Sequence, residues 1–317
     1  MTRRSFVIPA VSLPLCAQAL PALMPVSTDY WFDVDPLVPA EYRDLFSIHA
    51  ISALGSEISF LLSPNSRQSP GFAILKTQTD GRFVSFVQLS EQLQSNYLET
   101  LDTGELVGLK RRRAKQDPCT LLFFNGSGKV SKSQTIERVA FPIFGQRDLW
   151  VIGADGNTIV NSRTRQTISV KLGPFFPTLK RVSGSSYVGI NLNSAILIYV
   201  DLAKGTVQSH PLASPEIDAA RRAYGSTPET GALVSDFSTT PNGDVFLCAM
   251  GARPGDGAMI MHTDQFGALR RRMRVHLPAT KRIETSKIRD MFPSYLCAFS
   301  SSLAIIDSRG LIAVARA

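Results

Sequence analysis

One pattern constrains this chain more than any other: a strand–strand–turn–strand unit recurs along nearly its whole length. Each unit opens on a β-rich run, at Glu57–Leu62, Glu105–Leu109, Asp148–Ile152, Ser186–Ile190, Asp244–Cys248 and Pro293–Cys297, with starts 38 to 58 residues apart. A second apolar run follows at Gly71–Thr77, Thr120–Asn125, Thr158–Ser162, Ala195–Asp201, Ala258–Thr263 and Ser302–Asp307. A tight turn comes next, at Asp80-Gly81, Ser127-Gly128, Lys204-Gly205, Phe266-Gly267 and Arg309-Gly310. The third unit departs, with Thr164-Arg165 in place of glycine. Hairpin turns often demand a positive φ, which glycine adopts without a steric penalty. A unit of this size cannot bury its faces alone, so the repeats must stack on one another.

The pattern resembles the six-bladed β-propeller group of the NHL-like and TolB-like kind, from about Arg43 to Ala317. The chain has no WD dipeptide and no kelch double-glycine signature, so the likeness lies in the repeat itself. It implies an all-β fold of six blades, each of four antiparallel strands. Seven blades are the alternative if residues 28–48 supply most of an extra one. A β-helix would need shorter repeats, and a pair of sandwiches would not produce six similar units.

Two segments stand outside the repeat. Residues 20–42 read as an extended N-terminal arm, with Pro25, Pro36 and Pro39 around Tyr30-Trp31-Phe32. Its aromatics are expected either to plug the propeller or to pair with the last blade. Residues 213–231 lengthen the fifth unit and predict a short helix over Pro215–Tyr224, capped by Ser214 and ended by Gly225.

Residues 1–19 read as a signal peptide. Thr2-Arg3-Arg4-Ser5-Phe6-Val7 resembles the twin-arginine (Tat) export signal, and Ala17 and Ala19 form a small-x-small cleavage site. Leu15 before Cys16 disfavours a lipoprotein anchor, while an ordinary Sec signal and a chance arginine pair in a cytoplasmic protein are the alternatives. Pro9, Pro14 and Pro21 interrupt the apolar run, at about 3 kcal/mol each in a helix interior. No membrane span is expected there or later. The resemblance implies a periplasmic or secreted bacterial protein. The formal charge of +8 stays basic without the leader and favours an acidic partner, either a protein or an anionic envelope ligand. Nucleic acid is not an expected partner outside the cytoplasm, and a monomer is expected.

Propeller ligands usually bind where the first strand of each blade lines the central channel. Eight residues back from each opening run lie His49, Tyr97, Ala140, Thr178, Asp236 and Thr285. His49 and Asp236 are the candidate catalytic pair, since an imidazole beside a carboxylate suits acid–base work or a metal. His49, Tyr97, Thr178, Asp236 and Thr285 are the candidate ligand-binding positions. Against this stands the fact that water-filled channels are lined by polar residues in any case, and a one-residue slip reverses the facing. Arg270, Arg272 and Arg274 alternate along a fourth strand and form a candidate anion-binding face, unless they serve only to keep an outer edge from pairing. Lys110–Lys115 forms a second basic run.

His210 and His276 fall at the rim, His262 reads as a half-buried ring, and Gly126–Lys129 reads as a hairpin turn and not a phosphate loop. Cys119, Cys248 and Cys297 show no metal spacing and read as buried thiols. No metal site and no cofactor are assigned. The leading expectation is an exported propeller that acts as a binding or protein-interaction module in the cell envelope. The alternative is a hydrolase or lactonase-like enzyme with a funnel site, for which His49, Asp236 and Asn242 are the available ligands. A redox propeller is a third reading, although the chain has no CxxCH haem motif.

Overall fold

The computed structural model describes residues 20–42, 46–64, 71–110, 118–136, 139–144, 149–153, 156–172, 179–224, 233–240, 242–249, 258–276, 280–281, 288–289, 293–307 and 310–316. The expected leader, the basic run 111–115, Thr178, Gly225 and Thr285 lie outside the described residues. Within them, strands form wherever β-branched and aromatic residues run between turn residues. Blade 4 shows the rule clearly. Ser186–Asn191 pairs antiparallel with Ile196–Asp201 without a break in register, and the latter pairs with Thr206–Pro211. The two middle strands are buried on both sides and read as nearly continuous apolar runs, while the outer strand is polar and mostly exposed.

Six such sheets surround one axis. Their innermost strands are Phe46–Leu54, Leu93–Thr100, Val139–Phe144, Leu179–Ser183, Val234–Thr239 and Pro293–Ala298. The fold is a six-bladed β-propeller. Blades 1 to 5 each use four consecutive antiparallel strands. Blade 6 has only three from the C-terminal end of the chain, and β2 (Tyr30–Asp33) completes it by pairing antiparallel with Leu311–Val314. Of the two placements expected for the aromatic arm, the pairing is the one observed.

This closure corrects the phase of the last repeat. The opening runs of the other five units are second strands, whereas Pro293–Cys297 belongs to the innermost strand of blade 6. Cys248 and Cys297 therefore do not occupy equivalent positions. The first sits on the second strand of blade 5 and the second on the innermost strand of blade 6. They face different inter-blade cores, both are free thiols, and burial pushes each up to about 12.

The core consists of the surfaces where blades meet. Tyr97, Val107, Ile152 and Ile198 belong to one apolar cluster over blades 2 to 4, and Phe60, Leu75, Ile306 and Val314 join blades 6 and 1. Fully burying such a side chain contributes about 1.5–3 kcal/mol. Turns hold the strands in phase. Gly310, at φ +104°, leads the chain past Val34 of the arm. In the third unit Arg165 takes a φ of +61° itself, with the Asn161 carboxamide accepting from the Arg163 and Thr164 N–H groups to support the turn.

The remaining part of the arm reinforces blade 5. β1 (Leu23–Ser27) pairs in parallel with Arg272–His276 and makes that sheet five-stranded. α1 (Pro215–Tyr224) lies between blades 4 and 5, with the Ser214 hydroxyl accepting from the Ile217 N–H at 3.2 Å. No helix among the described residues is long and apolar enough to cross a membrane.

Candidate functional site at the propeller axis

Each of the six innermost strands carries a register shift against its neighbour. A bulge re-aims side chains and bends the strand, so a fixed step along the sequence does not select equivalent positions. His49 is itself the extra residue between Ile48 and Ala50, and Ala140 is the extra residue between Val139 and Phe141. Asp236 directly follows the shift in blade 5.

Two polar groups meet at the inner strands. In the first, blade 2 supplies Tyr97, Glu99 and Asp102, and blade 4 supplies Arg181. The Tyr97 hydroxyl donates to Glu99 Oε2 at 2.6 Å. Arg181 Nη2 lies 3.0 Å from Asp102 Oδ2, a contact that passes the inner end of blade 3. Burial lifts the Glu99 carboxyl to about 7, against the pull of the Tyr97 hydrogen bond and the Arg181 charge. Tyr187, beside them, is raised to about 12, mainly by burial. Asp102 lies in the turn after the innermost strand of blade 2, which places the group at the face bearing the first hairpins.

The second group joins blades 4, 5 and 6. Asp236 is four-fifths buried and accepts from the Leu296 N–H at 2.8 Å, while Lys180 lies 3.7 Å from its other oxygen. Burial raises its carboxyl, countered by the Lys180 charge and by backbone N–H groups. Lys180 also donates to the Phe237 carbonyl and lies 4.8 Å from the centre of the Phe237 ring. One residue on, Ser238 accepts from Ala298 N–H, and Tyr295 donates to the Ile48 carbonyl.

Among the interactions of the described residues, no hydrogen bond or ion pair joins His49 to Asp236. His49 is lowered by burial alone, whereas the influences on Asp236 come from blades 4, 5 and 6. Asn242 is exposed in a turn of blade 5. Among the described residues, no three His, Cys, Asp or Glu side chains come together as metal ligands would. Glu99, Asp102 and Arg181 were missed by the sequence reading. A carboxylate two residues after Tyr97, and so on the same face of the strand, is the signal available for Glu99.

The arginine face also differs from its expected form. Arg272 is turned inward, its guanidinium bound to both Glu216 carboxylate oxygens at 2.6 to 3.1 Å and donating to the Pro21 carbonyl at 3.0 Å. It is therefore committed to the fold and not offered to an anion. Arg270 remains exposed near Asp264 at 3.6 Å, and Arg274 is exposed. The strand is not outermost either, because β1 covers it. His262 is buried rather than half-buried, stacked on Phe246 at 4.4 Å with Nε2 3.0 Å from Asp244.

Neither a family model nor a curated protein matches this chain. Among solved structures it is similar to U3-55K, at a TM-score of 0.50 and 11% identity, over 86% of this chain and 96% of that one. It is also similar to the WD40 repeats of RRP9 (TM-score 0.49, 11% identity, 86% and 95% covered). BamB from Moraxella catarrhalis matches at a TM-score of 0.43 and 12% identity, over 85% and 83%. At such identity the likeness to U3-55K is one of fold alone.

Proposed function

We propose that this chain is an exported propeller that acts as a binding module, taking a protein partner at the axial face where Asp102 and Arg181 meet. The observation that carries this reading is the ion pair between blades 2 and 4. Its side chains are 75% and 42% exposed, so the pair contributes no more than about 1 kcal/mol. A partner's charges can replace it at little cost, and the Glu99 carboxyl stands beside it as a further polar group. The rigid ring keeps these groups in place before binding, which reduces the ordering cost of association. The Tat-like leader supports a place in the cell envelope.

In-cell photocrosslinking tests the reading. A crosslinking residue at Asp102 is expected to capture a discrete partner, whereas one at Thr206 on the rim of blade 4 should not. The charge-swapped Arg181→Glu variant should lose the adduct. Equal labelling from both positions would count against an axial site. For export, Arg3→Lys with Arg4→Lys should retain the precursor in the cytoplasm, and normal export of that variant would refute the Tat assignment.

One observation favours a second, hydrolytic reading: a carboxyl held at about 7 and hydrogen-bonded to a tyrosine suits general acid–base catalysis. On that reading, purified protein hydrolyses an ester or lactone and Glu99→Gln abolishes turnover. A wild-type protein inert toward a broad ester and lactone panel removes this alternative.

A further inference from the structure

Among the described residues, the fourth strand of blade 1, Phe83–Gln88, has no strand beyond it, and its one irregularity is the bulge at Val84. It holds no charge and no proline, and Phe83 and Val84 are 48% and 38% exposed. The other outermost strands among the described residues each carry a charge or a proline or are very short, features that discourage pairing and that this strand does not have. β1 contains Pro25, and β2 has four residues ending at Asp33. Val130–Ile136 contains Lys132, Thr167–Ser169 is only three residues long, and Thr206–Pro211 ends in proline.

One face of the open strand is covered by the arm, where Tyr42 meets Phe86 edge-on at 4.8 Å. The other face borders a cavity of about 460 Å³ between blades 1 and 2, at the same face of the disc as Asp102. Val84 and Ser85 line it together with apolar Ile74, Val87 and Phe124, and Glu57, Lys76 and Glu105 supply its charges. Two carboxylates to one ammonium is an acidic balance on a chain whose net charge is +8.

We infer that this edge and cavity take an extended segment of a partner protein by strand addition. The ladder bonds form along Phe83–Val87, and the period of two sends alternate apolar side chains into the cavity. A basic residue of the segment faces Glu105. This site is separate from the pair at Asp102 and Arg181, so either proposal can fail without the other.

The probe is an end-blocked, fluorescein-labelled peptide that alternates valine with threonine and carries one central lysine. Its binding to the purified protein is read by fluorescence anisotropy. Saturable binding is expected, weakened about fivefold by Glu105→Lys. An N-methylated copy of the peptide, which cannot form the ladder, should not bind. Val84→Pro should also abolish binding with the melting temperature unchanged. Val84 is the unpaired residue between Ser85 and Phe83, where proline breaks no existing ladder bond. A wild-type protein that leaves the peptide free at millimolar concentration overturns the inference, as does equal binding of the N-methylated copy. A dimer that Val84→Pro converts to monomer would make the occupant a second copy of this chain and overturn it too.

Discussion

Two fourth strands of this propeller have been treated in opposite ways. Leu269–His276 carries Arg270, Arg271, Arg272 and Arg274, whereas Phe83–Gln88 carries no charge at all. On edge protection alone, the arginine-rich strand should stand open and the apolar one should be covered. The reverse is observed: β1 lies over the arginine strand, and among the described residues no strand pairs beyond Phe83–Gln88. The arginines therefore do more than guard an edge. Arg272 draws Glu216 of α1 and Pro21 of the arm onto blade 5, and a fifth strand can then pair where repulsion was expected.

The largest expected effect comes from breaking that clasp. Arg272 and Glu216 expose only 14% and 6% of their side chains. Removing one partner leaves the other charge buried, a loss of about 3–5 kcal/mol. Arg272→Met should lower the urea midpoint accordingly, and limited proteolysis should then cut within 20–27. Arg274→Ala, at an exposed position on the same strand, should change stability by less than about 0.5 kcal/mol. Equal effects from the two would mean that the covered strand is held by its ladder and not by the clasp.

Blade 1 has its own attachment, from the blade 2 side. Gly128 sits at φ +74°, and a Cβ there would overlap Val87 Cγ1 and meet the Gln88 carbonyl oxygen at 2.7 Å. A backbone oxygen cannot rotate away as a side chain can. Gly128→Ala combines a strained φ with this overlap and should cost about 2–3 kcal/mol by thermal melting. It should also displace the end of the open strand and so weaken peptide binding there. If stability falls while binding is kept, the cavity does not depend on that turn.

These two contacts show how much the sequence made legible. Six units, their strand pairs and their turn glycines were all readable, because strand periodicity and turn chemistry are local. The third turn reads in the sequence only as a departure from glycine, and the structure shows Arg165 itself taking the positive φ. The last blade was read one strand out of phase, since nothing local to Pro293 says that its fourth strand comes from Tyr30–Asp33. The inner-strand bulges break the eight-residue step, so that step does not lead from His49 or Asp236 to Glu99. Arg272 looked like a surface residue because its partners lie 56 and 251 residues away.

Acidity separates the clasp from the axis by sign. Arg272 holds Glu216 below the ordinary glutamate range despite burial. A depressed carboxylate contributes stability that is present above its unfolded pKa and is lost as pH falls through the folded value. Glu99 behaves oppositely. Raised to about 7, its carboxyl binds a proton in the folded state that the unfolded chain releases near 4.5. Stability should therefore fall as pH rises from about 4.5 to 7, by about 1–3 kcal/mol, and level off above. Glu99→Gln should flatten that limb while leaving the acid limb intact, and Arg272→Met should reduce the acid limb alone. Urea denaturation at a series of pH values reads both, and one variant flattening both limbs would show that the two sites are coupled.

The smallest expected effect falls on the open strand. Phe83 is half exposed and makes the edge stickier without being part of any buried cluster. Phe83→Lys gives this strand the charge that its counterpart in blade 5 already has, and should shift stability by no more than about 0.5 kcal/mol. A change that small in the fold should still be felt in association, because a lysine on an edge opposes strand addition both by its charge and by its hydration. Loss of more than 1 kcal/mol would instead make Phe83 a structural contact, and the strand would be covered in substance if not in topology. Unchanged stability together with weakened peptide binding would leave blade 1 open by selection for what it binds, and blade 5 closed for what it holds together.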